Sequence, residues 1–192
     1  MDRINSLKAK VEDFYIRNKD SVSNPWYVLA YEKHLLVVIK VAEELSRKYQ
    51  ANVEYTMAGA LLHDIAYAVM DKSDPDLEKT SFDIGKEMLS SVGFSKEDQN
   101  IILNDIIKPH SCDEELPVGA EGKVLATADA LAHFTSDFYP YFIWNRLLFP
   151  DYEHLKSWVS KKIERDFTRK IFFEEERENV REIYNSLKRI FA

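Results

Sequence analysis

The stretch AGALLHDIAYAV, Ala58–Val69, sets an imidazole and a carboxylate, His63 and Asp64, side by side in an otherwise apolar run. Apolar and small residues from Val53 to Tyr67 predict a buried helix that carries this doublet near its C-terminal end. An unpaired carboxylate in an apolar interior costs several kcal/mol or takes up a proton. A divalent cation is one of the few partners that satisfies both groups together. Successive helical residues point roughly 100° apart, so His63 and Asp64 would flank an ion near the helix end or divide the work between ion and water. Core histidines hydrogen-bonded to neighbouring aspartates would satisfy the same burial rule without an ion, so one pair alone decides nothing.

Two further segments repeat the pattern of a potential ligand set among apolar residues. His34 lies in YVLAYEKHLLVVIKVAEEL, and Asp129 lies in KVLATADALAHF. Both read as helices by apolar spacing, with the ligand inside the pattern rather than on a charged outer face. Asn24 and Pro25 suit an N-cap and first position for the His34 helix, which runs to about Lys48. Two imidazoles and two carboxylates form a mixed nitrogen and oxygen donor set, compatible with manganese, iron, nickel, cobalt or zinc and less comfortably with magnesium. On a six-coordinate ion, water and a phosphate oxygen would fill the open positions.

The ordered set His34, His63-Asp64 and Asp129 resembles the HD superfamily of metal-dependent phosphohydrolases, over residues 26–137. The resemblance implies an all-α, HD-domain helical bundle. Residues 138–192 would add C-terminal helices, giving one domain over 1–192. It also implies that His34, His63, Asp64 and Asp129 hold a divalent metal ion and that Asp64 orients the attacking water. A small phosphorylated substrate, possibly a nucleotide, is the expected partner, cleaved at a phosphomonoester or phosphoanhydride. Two other functions fit the same chain. One is an HD-type di-iron oxygenase, with His110 and His133 as extra ligands, and the other a non-catalytic nucleotide-binding or interaction module.

His110, in IIKPHS, follows a helix end, where a side chain can reach a cleft. Similar proteins carry a His-Ser there, near the phosphate or on a second ion, so His110 is a candidate catalytic residue. Lys108 is its candidate companion for phosphate charge. A solvent-facing turn is the alternative for both. His133 shares a helix face with Asp129, four residues on, as a supporting partner, an extra ligand or an ordinary core histidine. Asp71, Asp74 and Asp76 lie in a polar loop where solvation is the default, and Ser81 suits an N-cap.

Composition narrows the class. With 192 residues, 45% hydrophobic and 12% aromatic, the chain can bury a full core. Five glycines and six prolines leave long helical patterns scarcely interrupted. A net charge of −7 argues against a general nucleic-acid binder. One cysteine, Cys112, forms no internal disulfide and suits a reducing compartment. No apolar run reaches membrane-spanning length and no signal-like segment follows the charged start, so a cytoplasmic protein is expected.

Outside the ligand segments, residues 2–19 form an amphipathic pattern through Ile4, Leu7, Val11, Phe14 and Tyr15. Ser95 through Asp98 resembles a capping box. The aromatic segment 138–149 suits one wall of a cleft or a contact in a homo-oligomer. Asp151 is a cap for a helix containing Trp158. Lys161, Arg165 and Arg169 then form a basic stripe at helical spacing, expected as a solvated face interleaved with acids or as positive charge near a phosphate. A last packing helix spans about Glu174 to Phe191.

Overall fold

Leu7, Val11 and Tyr15 recur every four residues and become the buried stripe of helix α1 (Arg3–Arg17). The structure, a computed structural model, describes residues 3–147 and 149–191. The expected start of the first helix at Asp2, and Leu148 in the aromatic segment, lie outside them. Among the described residues there are ten helices and no strand, an all-α architecture. A helix runs without interruption through 24–48 (α2), followed by Val53–Leu62 (α3), Leu77–Ser91 (α4), 96–107 (α5) and Ala120–Thr135 (α6). The C-terminal helices are Phe138–Trp144 (α7), 152–170 (α8), Glu174–Asn179 (α9) and Arg181–Phe191 (α10).

Local chemistry sets several of these bounds. Asn52 accepts a hydrogen bond from the Tyr55 amide, and Asp151 accepts one from the His154 amide, capping α3 and α8. Ser95 and Asp98 form the expected reciprocal capping box at the start of α5. Gly93, at φ +90°, supplies the left-handed turn after α4. Gly59 lets α3 and α5 approach closely, because a Cβ there would stand 2.8 Å from Ile106. Ala126, Ala128, Ala130 and Ala132 are all fully buried in α6, which packs centrally against α2, α3, α5 and the end of α8.

Some boundaries differ from the sequence expectation. Helix α2 starts one residue early, so Ser23 rather than Asn24 is the cap. Helix α3 stops at Leu62, and the doublet follows it instead of lying within it. Helix α4 starts at Leu77, which puts Ser81 inside the helix; its hydroxyl accepts a hydrogen bond from the Ala66 amide at 3.3 Å instead of capping. The last packing helix is broken at Val180 into α9 and α10. Asp71 and Asp74 bind backbone amides of their own loop, at Ser73 and Asp76.

Three helices shift to π-type hydrogen bonding, at Val28–Leu35, Ile101–Ile107 and Asp166–Lys170. Such turns concentrate at functional sites because they re-aim side chains. Here they contain His34, lead into His110 and contain Lys170. No helix is long and apolar enough to cross a membrane among the described residues.

Candidate metal centre and adjoining pocket

The end of α3 at the doublet solves the pointing problem of adjacent ligands. His63 keeps helical angles as the C-cap, while Asp64 leaves them at φ −122° and ψ 28°. The Asp64 side chain is therefore free of the helical offset and turns toward the same point as His63. Tyr15 from α1 fixes this corner, its hydroxyl donating to the Asp64 carbonyl at 3.1 Å. The His63 Nδ1–H donates to the Ala60 carbonyl at 3.0 Å, which leaves the Nε2 lone pair facing inward.

Four donor atoms from α2, the α3 terminus and α6 meet there. His34 Nε2 lies 3.2 Å from His63 Nε2, 3.1 Å from Asp129 Oδ1 and 3.5 Å from Asp64 Oδ2. His63 Nε2 is 3.4 Å from Asp64 Oδ2. Donors that share an ion at about 2.1 Å and right angles stand about 3 Å apart. Two basic nitrogens facing two carboxylates need a proton or a cation between them, and the spacing suits a divalent ion. His34 Nδ1 is buried without a hydrogen-bond partner, so the metal-free network is incomplete on that side too. His34, His63, Asp64 and, through a second grouping, Asp129 and His133 form a His/Asp cluster able to bind a metal.

The electrostatics agree with a cation centre. Burial pushes the Asp64 carboxyl up, but His63 and His34 hold it below the usual carboxylate range. Burial is likewise outweighed at Asp129 by Lys170 and His133. The His34 imidazole is raised against its burial by Asp129 and Asp64. His110, half-buried, is pushed down to about 4 by burial and then by His63. Its Nδ1–H donates to the Ile107 carbonyl at 2.5 Å, leaving an unprotonated Nε2 on a ring 5.2 Å from that of His63. His110 is thus a neutral acceptor rather than a positive charge for phosphate.

Lys108 is not brought into the cluster. Its side chain is half exposed, pairs with Glu115 at 3.1 Å, and lines a neighbouring cleft instead of the pocket over Asp129. The cations beside Asp129 come from α8. Lys170 pairs with Asp129 Oδ2, which leaves Oδ1 for the cluster. Thr127 of α6 holds that end of α8, donating to the Lys170 carbonyl and accepting from the Phe172 amide. Lys162 pairs with Asp166 at 3.1 Å and is pushed down to about 8 by burial. Asp166 also accepts from Tyr139 at 2.9 Å and lies 3.0 Å from His133 Nδ1. Burial and then Lys162 push His133 down to about 3, so this imidazole is neutral, with its ring stacked 4.7 Å from that of His34.

The basic stripe of α8 divides between the two expectations. Lys161 and Arg169 are exposed as expected of a solvated face, but Arg165 is half-buried, pairs with Asp113 and lines the pocket. Lys162, Asp166 and Lys170, one position further on with the same spacing, face the site and are buried. The legible signal was their phase with Val159, Ile163 and Phe167, which share that inner face. Aromatic residues Phe138 and Phe142 of α7 do wall the pocket, whereas Trp144 is 88% exposed.

Fold and cluster together define an all-helical protein with a histidine and aspartate centre. The HD domain family matches residues 31–133, more than half of the 192, and the chain belongs to this family. That family is generally one of metal-dependent hydrolases. The chain is 34% identical over 99 residues to ribonuclease Y of Fervidobacterium nodosum, covering 52% of this chain and 17% of that protein. It is 35% identical over 99 residues to ribonuclease Y of Thermosipho melanesiensis, 52% and 18% of the two chains. An uncharacterized protein of Clostridium beijerinckii is 29% identical over 111 residues, 56% of this chain and 71% of that one. The chain therefore spans less than a fifth of the ribonucleases it matches. No solved structure matches it.

Proposed function

We propose that the protein is a metal-dependent phosphohydrolase acting on a phosphomonoester or phosphoanhydride of a nucleotide or similar small metabolite. The observation that carries this is the meeting of two histidine Nε2 atoms, 3.2 Å apart, with two carboxylate oxygens in one pocket. His34, His63, Asp64 and Asp129 hold the ion. A divalent ion in this set supplies an acidified water and a polarised phosphoryl oxygen. Asp64 is the one ligand in contact with both clefts, so its carboxylate is placed to orient the water. His110, facing the same space with its Nδ1–H turned to the Ile107 carbonyl, offers Nε2 as a hydrogen-bond acceptor that orients that water. Lys170 keeps Asp129 turned with Oδ1 toward the ion. One domain over 1–192, in a cytoplasmic setting, remains the organisation we favour.

Similarity to ribonuclease Y favours a second reading, in which the phosphoester lies in RNA. Charge weighs against it. The cleft beside Asp64 and His110 sets Glu78, Asp113, Glu114 and Glu115 against Lys72 and Lys108, and the chain carries −7 overall, where an RNA track needs a basic excess. Small phosphoesters and RNA oligomers assayed across several divalent metals, with elemental analysis of the same sample, decide the matter. The expected result is metal-dependent release of phosphate from a small ester and no cleavage of RNA into shorter fragments. Turnover that survives both chelation and His63→Ala ends the phosphohydrolase proposal.

A further inference from the structure

We propose that Lys162 and Arg165 of α8 form a binding site for the dianionic head of a phosphomonoester, facing the His34 and Asp129 cluster across one pocket. Both residues lie beyond residues 31–133, so the helices that follow the family match would supply substrate recognition to the centre that the match contains. The inference rests on the phosphohydrolase reading for the ion that sets its charge balance.

Four observations support it. The pocket has a cavity volume of about 70 Å³, the scale of a compact anionic head group rather than of a whole ligand. Its walls include the donor cluster on one side and Lys162 and Arg165 on the other. Arg165 Nε is buried without a hydrogen bond, the Asp166 carboxylate standing 3.8 Å away, so an anion in the pocket would supply the missing acceptor. Among the described residues Lys162 pairs with one carboxylate, Asp166, which also accepts from Tyr139 and lies 3.0 Å from His133 Nδ1.

Charge then selects the ligand. Four carboxylates, Asp64, Asp113, Asp129 and Asp166, face four cations, Lys72, Lys162, Arg165 and Lys170, and cancel. A divalent ion leaves the pocket with an excess of two positive charges. A terminal phosphate carries nearly two negative charges at neutral pH, whereas a phosphodiester carries one and leaves the excess half compensated. The neighbouring cleft carries more acids than bases, which favours entry of the phosphate from the α8 side. There Trp26, Leu29, Phe138 and Phe142 offer an apolar wall for the organic part of the ester.

Calorimetry on the full chain with manganese bound tests this, using phenylphosphonate, a non-hydrolysable dianion, and its monoanionic methyl ester. The dianion is expected to bind at least about tenfold more tightly than the ester, the scale of one charge-assisted hydrogen bond. Lys162→Met and Arg165→Gln should each weaken the dianion by about tenfold and leave manganese content unchanged. Arg165 is half-buried, so its variant remains informative even where Lys162→Met fails to fold. Equal binding of the two probes, binding unchanged in Arg165→Gln, or no binding to the parent overturns the proposal. Hydrolysis measured on the same samples separates the two proposals. Binding that depends on Arg165 without any turnover supports the anion site and removes the phosphohydrolase, whereas turnover with Arg165-independent binding overturns the anion site alone.

Discussion

Two charged networks in this molecule use the same residue types to opposite ends. Where α1, α3 and α5 meet, Arg3 binds Glu54 through two hydrogen bonds, at 2.9 and 2.6 Å, and Asp98 at 3.1 Å. Asp98 also accepts from Tyr55 at 2.5 Å and from the Ser95 amide at 3.0 Å, and Arg3 lies over the Phe94 ring. In the centre of the bundle, His34 Nδ1 and Arg165 Nε have no hydrogen-bond partner and two imidazole nitrogens face each other. A network that satisfies itself has finished its task in holding helices together. A buried one that does not is arranged for a ligand, because an unmet buried polar group costs more than a met one contributes.

Substitutions should therefore divide the two networks. The largest effect is expected at the centre, where His63→Ala or Asp129→Ala should abolish metal binding and lower turnover by about a thousandfold or more in a metal-dependent phosphoester assay. Manganese should also raise the melting temperature of the parent, by the equivalent of about 2.7 kcal/mol at a hundredfold excess over Kd, and leave His63→Ala unmoved. Asp166→Ala strips a buried carboxylate from Lys162 and should cost about 3–5 kcal/mol in denaturant unfolding. Asp98→Ala should cost less, about 1–2 kcal/mol, through its lost bonds to Arg3, Tyr55 and the Ser95 amide, with turnover per folded molecule unchanged. Equal losses of activity in Asp98→Ala and His63→Ala would erase the distinction.

Acid offers a finer separation. Burial holds His133 down to about 3 and His110 to about 4, against an ordinary 6.5, so the unfolded chain binds more protons between those values. Their contribution is complete above about pH 6.5 and fades as pH falls toward 3. His34, raised by its carboxylates, works the other way and offsets part of the loss. Asp98 is held to about 2 by Tyr55 and the Ser95 amide, so its share persists above about pH 3.9 and fades only below that. Melting temperatures of the metal-free protein should fall first from the centre, below about pH 6.5. Asp98→Asn should alter the curve only at its acid end.

Much of the candidate site was legible because a ligand inside an apolar helical stripe is a local anomaly. His34, His63, Asp64 and Asp129 each break the pattern of their own segment and meet in one cluster. Lys108 could not be judged this way. A cation after a helix end looks the same whether it turns into the cleft or outward to Glu115. Helix α8 was harder still, since its two charged stripes, Lys161, Arg165 and Arg169 against Lys162, Asp166 and Lys170, differ by one residue in phase and either suits an amphipathic helix.

The sequence by itself determined an all-α chain and the histidines and aspartates that cluster at its centre, because helical periodicity and buried polar residues are properties of short segments. Only the tertiary structure decided which residues surround that centre. Ending α3 at Leu62 freed Asp64 to join His63. Docking the last turn of α8 on Thr127 turned Lys162, Asp166 and Lys170 inward and left Lys161 and Arg169 in solvent. The physical reason is that a charge spaced along a helix finds its partner across a packing interface, and no local pattern records which helix lies opposite.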